Sequence, residues 1–253
     1  MIKVRDYVPE YAVIAHRGST FWTPEETESA YRWAREIGAD YLECDMQVSK
    51  DGVVLALHDD NLKRTNNIET VFGETLPREI RKNYYMKIGY SETEAEEKVK
   101  ADEANFVPNL PAYYTYEELL MLDAGSWFNN ENLEEALPGL AKEKQYISTL
   151  EDLIMYSKGY RLIRDRNQPG MPRQYSIVGK TGETITSLSG TADIVKYDFG
   201  YEIDPVWEAG NKNIPGIYIE FKEPWLNPKG FEQIVYDVLA NTQDMNIIEK
   251  PEP

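Results

Sequence analysis

The sequence predicts an α/β fold, and three observations carry that reading. A short apolar run (YAVIA, 11–15) leads into a helix signature, followed by two strand-like runs within residues 41–60. A clean buried-strand pattern returns at 216–224 (GIYIEFKEP) and is followed by an amphipathic helix. Strands and helices alternating over such short spans are the mark of helices laid on a sheet.

Residues 11–15 read as a buried strand ending in His16-Arg17-Gly18. Thr23 reads as a helix N-cap, Pro24 as the first helical residue, and Glu26 as the partner in a capping box. Ala30, Trp33, Ala34 and Ile37 recur at helical spacing, and Gly38 ends the helix. Residues 41–60 (YLECDMQVSKDGVVLALHDD) hold two alternating runs joined at Asp51-Gly52, a strong hairpin signal. A reversal there predicts that positions summing to about 103 face each other, which pairs Asp45 with His58. Glu43 shares the face of Asp45, because strand side chains alternate. If the runs were parallel strands, that pairing would fail and the residue types would still need a reason. Stability supplies none, since unpaired buried charge is costly. A hard divalent cation does, because Mg²⁺ and Ca²⁺ take carboxylate oxygens. Cys44 points away from both acids and reads as a buried structural thiol.

Residues 66–114 read as an insertion: charged, without strong core periodicity, and carrying a solvated helix (SETEAEEKVKADE). A short helix at 116–122 precedes LDAGSWF. ISTLEDLIMY (147–156) reads as a helix capped by Ser148 or Thr149, with Glu151 and Asp152 in its first turn. Residues 159–213 read as a second insertion, in which KTGETITSLSGT is a loop or small β excursion. The strand at 216–224 bears Glu220 and Lys222 on one face, and residues 229–240 form a helix with Phe231, Ile234, Val235, Val238 and Leu239 apolar. Residues 1–253 read as a single domain.

A net charge of −17 repels nucleic acid and anionic membrane surfaces, so neither is an expected partner. One cysteine rules out an internal disulfide framework. No apolar run approaches the ~18 residues of a membrane span, so no stable membrane insertion is expected. Residues 1–10 are no signal peptide. The cytoplasm is the default location, with a periplasmic or secreted one following if a signal peptide has been removed. Nothing in the composition assigns an oligomeric state.

His16-Arg17-Gly18, Pro24-Glu25-Glu26-Thr27, Leu42-Glu43-x-Asp45, Asp51-Gly52, His58-Asp59 with Leu62-x-Arg64-Thr65, LDAGSWF, Ser148-Thr149-Leu150-Glu151 and Ile219-Glu220-Phe221-Lys222 occur in that order. This set resembles the glycerophosphodiester phosphodiesterases, a (β/α)8 TIM-barrel family. The match is dense over 11–65, patchy over 115–155 and clear again at 216–224. The resemblance implies metal-dependent hydrolysis of small glycerophosphodiesters to glycerol 3-phosphate and an alcohol through a cyclic phosphate. It makes His16 and His58 the general acid and base, with His16 favoured as first-step base. It gives Glu43, Asp45 and Glu220 one divalent cation, Mg²⁺ or Ca²⁺, and gives Arg17 and Lys222 the substrate phosphate. Histidines titrating near neutrality suit proton transfer, and cations aimed at a phosphodiester stabilise its growing charge.

Three departures from the family pattern stand out. Glu26 occupies the asparagine position of Pro-Glu-Asn-Thr, and Asn66 replaces a threonine. After Lys222 the chain has room for one helix and a polar tail, so either the barrel is incomplete at its C-terminal side or the two insertions contribute strands of their own. Two further readings compete with the phosphodiesterase: a lipid phosphodiesterase of the phospholipase or sphingomyelinase D type, and an inactive glycerophosphodiester-binding module. A surface scaffold formed by the two insertions is a third.

Overall fold

The computed structural model describes residues 10–131, 144–187, 190–210, 212–223 and 225–242. The first nine residues, read as no signal peptide, and the polar tail after residue 242 lie outside the described residues. Strand β1 (Ile14–Ala15) is shorter than its apolar run, and Tyr11 sits at a left-handed φ of 65°. Helix α1 (Glu28–Glu36) begins a turn later than the Thr23-Pro24 signature predicts, with Thr27 as N-cap. Glu26 is not part of a capping box. It turns out of the helix at φ 55°, and its carboxylate accepts the Asp45 N–H at 2.8 Å from strand β2 (Tyr41–Val48). Gly38 closes α1 at φ 92°, as expected.

β2 and β3 (Val54–Ala56) form the predicted hairpin in a different register. Met46 faces Ala56, Val48 faces Val54, and the Leu57 N–H reaches Asp45 O at 2.8 Å. Asp45 is therefore opposite Leu57 rather than His58. The cause is the turn: Ser49 N–H bonds Val53 O and Gly52 lies at φ 87°. Lys50-Asp51-Gly52 is thus a three-residue loop ending in a left-handed glycine, which moves the pairing by one position. β3 ends at Ala56, so His58 is released from the ladder and its alternation.

Residues 66–114 hold α2 (Ile68–Val71), α3 (Arg78–Lys87) and α4 (Glu92–Ala104). α4 is the expected charged helix, with a Ser91/Glu94 capping box, although Ala95 and Val99 are buried. α3 packs more deeply than a segment without strong core periodicity would suggest, for it buries Arg81, Tyr84 and Tyr85. Arg81 Nη2 donates to Glu118 at 2.7 Å and to Tyr113 O at 2.8 Å. Hydropathy counts such residues as polar, while their rings and stems pack like hydrocarbon.

α5 (Tyr116–Leu119), α6 (Ser126–Glu131) and α7 (Leu150–Ser157) follow, with Thr115 and Thr149 each closing a capping box. Beyond them, β4 (Tyr160–Leu162) pairs with β7 (Tyr201–Ile203). Between these two strands, β5 (Tyr175–Ser187) and β6 (Gly190–Phe199) make an antiparallel hairpin much longer than a loop. α8 (Pro205–Ala209), β8 (Gly216–Phe221) and α9 (Phe231–Asn241) complete the described elements.

β2 is the centre of the main sheet. It runs parallel to β1, with Ile14 opposite Tyr41, and parallel to β8, with Asp45 opposite Glu220. Leu42, Cys44 and Met46 point into the core with Leu150, Leu153 and Ile154 of α7. Cys44 is fully buried, as the alternation predicts. The carboxyl ends of three parallel strands thus meet at one end of the sheet, the end where α/β folds place their sites.

Candidate active site

All seven residues singled out from the sequence belong to elements that converge on that end. His16 and Arg17 follow β1, Glu43 and Asp45 lie on β2, His58 follows β3, and Glu220 and Lys222 end or follow β8. Parallel register sets Asp45 beside Glu220, and alternation adds Glu43 to their face. Ligand oxygens from Glu43, Asp45 and Glu220 lie within 4.8 Å of one another.

Two of these carboxylates are poorly satisfied by protein donors. Glu43 Oε1 and both Asp45 oxygens are buried and complete no hydrogen bond among the described residues. Asp45 has charged neighbours instead: Arg17 Nε at 3.1 Å and Lys222 Nζ at 3.2 Å. Lys222 also meets Glu220 Oε1, which holds the Glu220 carboxyl below its ordinary range. Burial pushes the Glu43 carboxyl up, with Asp45 adding to the effect, while the Arg17 N–H at 2.8 Å opposes it. Buried oxygens with open lone pairs, all hard donors, fit a divalent cation of the Mg²⁺ or Ca²⁺ type.

The two histidines stand at the edge of this cluster. The charge of His16 is felt by Glu43, and that of His58 by Glu220. His58 Nδ1 lies 2.6 Å from Asp59 Oδ1. Arg64 bonds Asp59 with Nε at 2.5 Å and Glu25 with Nη2 at 2.6 Å, and Glu25 in turn meets Arg17. Arg64, followed by the His58 contact, holds the Asp59 carboxyl down to about 2. An ionised carboxylate can only accept, so His58 Nδ1 carries the proton and Nε2 is free to exchange one. This assembly is complete above the ordinary aspartate range near pH 4 and is lost as pH falls through about 2. Stability is therefore expected to decline over that acid window, and Asp59→Asn to flatten the decline, in urea midpoints measured against pH.

Sequence reading found the acids and histidines but missed their supports: Glu25, Asp59, Arg64 and the true role of Glu26. Adjacency of Asp59 to His58 was the available signal. Arg17 and Glu26 both lie at left-handed φ, 56° and 55°, and the Glu26 N–H bonds Arg17 O at 3.0 Å. Each reaches β2: Arg17 N–H holds Glu43, and the Glu26 carboxylate holds the main chain of Asp45. Such strain survives only where neighbours enforce it. Gly18 belongs to the same loop, where a Cβ would lie 2.7 Å from Ala30 Cβ. Glu26→Ala is expected to weaken cation binding by about 10–100-fold, the usual effect of losing a support behind a ligand. Glu26→Gln keeps the accepting oxygen and is expected to stay near the parent in the same calorimetric titration. Asn66, the other departure, is buried with Oδ1 unpaired among the described residues, and nothing in the structure explains it.

Residues 16–176 match the model of the glycerophosphoryl diester phosphodiesterase family. A mouse (Mus musculus) glycerophosphoinositol inositolphosphodiesterase is 28% identical over 199 residues, 75% of this chain and 31% of its own length. A Bacillus subtilis glycerophosphodiester phosphodiesterase is 28% identical over 141 residues, 56% of this chain and 34% of its own length. The chain thus spans about a third of the length of these two relatives. An Oleispira antarctica phosphodiesterase, solved with the product sn-glycerol-3-phosphate, is 26% identical. That likeness covers 61% of this chain and 43% of the other, with a TM-score of 0.36.

Proposed function

The chain belongs to the glycerophosphoryl diester phosphodiesterase family, whose fold is of the (β/α)8-barrel type, and from that premise we propose that it hydrolyses glycerophosphodiesters to glycerol 3-phosphate and an alcohol. One observation carries the reading: three carboxylates, two of them with buried oxygens that complete no hydrogen bond among the described residues, meet two cationic side chains at the carboxyl end of the sheet. Glu43, Asp45 and Glu220 would hold one divalent cation, Mg²⁺ or Ca²⁺. When bound, the cation would supply positive charge to the phosphate oxygens and acidify a hydroxyl. Arg17 and Lys222 would take the phosphate and stabilise charge that grows on it during reaction. His16 removes a proton from the glycerol hydroxyl beside the ester, that hydroxyl attacks phosphorus, and a cyclic phosphate forms. His58, held by Asp59, gives its Nε2 proton to the departing alcohol. Water then opens the ring, with the two histidines exchanging roles. The segments 66–114 and 159–213 are insertions in this reading, outside the chemistry.

The test is release of glycerol 3-phosphate from glycerophosphocholine, glycerophosphoethanolamine and glycerophosphoinositol, with Mg²⁺, with Ca²⁺ and with chelator. Release that needs the cation supports the proposal. A folded, cation-loaded chain that releases none is instead a binding module.

A second reading, a lipid phosphodiesterase, has its own support. Phe21 and Trp22 are exposed in the loop after β1, stacked edge to face at 5.1 Å, and Trp225 is exposed shortly after Lys222. Cosedimentation with liposomes would favour it. Against it stands the net charge of −17, and no helix among the described residues is long and apolar enough to cross a membrane.

A further inference from the structure

A cavity of about 170 Å³ shares no residue with the carboxylate cluster. Its walls come from α1 (Glu28, Ser29, Arg32), β4 (Arg161, Leu162), β7 (Glu202), Gln145 and the turn carrying Arg164, Arg166 and Met171. Four guanidinium groups therefore face two carboxylates, in a chain whose net charge is −17.

The carboxylates hold the arginines in place without using all their donors. Glu28, buried, accepts Arg164 Nη2 at 2.7 Å and the Leu162 N–H at 3.0 Å. Glu202 accepts Arg161 Nε at 2.8 Å, and Asp204 accepts Arg32 Nε at 2.7 Å. Arg161 Nη1 and Arg32 Nη2 have no partner among the described residues. Arg166 makes no hydrogen bond or ion pair there at all. Its turn is shaped by Gly170 at φ 76° and Met171 at φ 46°, the latter a strained non-glycine position beside the cavity. Arg161 and Arg32 are each fixed by a carboxylate and keep one nitrogen open among the described residues. Pre-positioned planar forks are what phosphate oxygens recognise.

We infer that this cavity binds a phosphate-bearing small molecule through Arg166, Arg161 and Arg32, separately from the catalytic cluster. The site needs no cation and no turnover. Its test is therefore independent of the hydrolytic reading.

The probe is inorganic phosphate, titrated calorimetrically into the full chain with chelator present, and then glycerol 3-phosphate under the same conditions. One phosphate per chain is expected, weakened about tenfold or more by Arg166→Gln, the loss of one charged hydrogen-bonding partner. Lys222→Met is expected to leave this binding unchanged. Arg166 is exposed and without a partner among the described residues, so its replacement does not endanger folding, and unfolding by urea serves as the control. Tighter binding of glycerol 3-phosphate that Arg166→Gln weakens and Lys222→Met does not would place the alcohol in the cavity as well. Absence of saturable binding of either probe overturns the inference. So does binding that Lys222→Met abolishes and Arg166→Gln leaves intact.

Discussion

His16→Ala and His58→Ala are each expected to lower kcat for glycerophosphodiester hydrolysis by about 10²–10⁴-fold, the usual worth of a positioned acid or base. The expectation rests on placement. His16 follows β1 and lies close enough to Glu43 to influence its charge, while His58 does the same for Glu220. His58 has the firmer support, since Asp59 and Arg64 hold it. Asp59→Asn is accordingly expected to lower kcat by less than His58→Ala while leaving KM near its parent value. An ordinary packing histidine would show the reverse: loss of stability with kcat retained. Parent-like kcat in either histidine variant would remove that residue from the chemistry.

Arg173→Met is expected to destabilise the fold by about 3–5 kcal/mol, because it strands a buried carboxylate. Arg173 Nη1 and Nη2 grip Asp152 at 2.8 and 2.7 Å, and both side chains are almost fully buried. The guanidinium also lies 4.2 Å from the Phe199 ring centre. Asp152 is the capping-box acid of α7 and accepts the Tyr201 hydroxyl at 2.7 Å. This one pair therefore ties the 159–213 region to the helix packed on the main sheet. The double change Arg173→Met with Asp152→Asn removes the stranded charge and is expected to cost less than Arg173→Met alone. Urea unfolding with a common slope measures both. A loss below about 1 kcal/mol for Arg173→Met would mean that water reaches Asp152 and the pair acts as a surface bridge.

What the sequence showed and what it hid divide along physical lines. The acids and histidines were legible because their chemistry is concentrated in short runs, and because strand alternation puts Glu43 and Asp45 on one face whatever the register. The pairing of Asp45 with His58 was not legible. Asp-Gly marks a reversal but does not distinguish a two-residue loop from the three-residue loop that Gly52 closes. The local signature started helix α1 at Thr23, a turn early, and Glu26 was settled by a tertiary bond to Asp45 that no local pattern contains. The packing of α3 was hidden because Arg81, Tyr84 and Tyr85 score as polar or ambivalent, yet are buried by partners distant in sequence. For the same reason KTGETITSLSGT, within residues 159–213, read as a loop or small β excursion. Their long hairpin is joined to the rest by the Tyr197 hydroxyl on Asp51 at 2.7 Å and by Arg173 on Asp152.

The most direct test is a calorimetric titration of Mg²⁺ and Ca²⁺ into the parent chain and into Asp45→Asn, with glycerol 3-phosphate release read on the same samples. The account predicts one cation per chain, hydrolysis that rises in step with occupancy, and loss of both in Asp45→Asn. Full hydrolysis by the cation-free chain, or parent-like binding and release by Asp45→Asn, would contradict it.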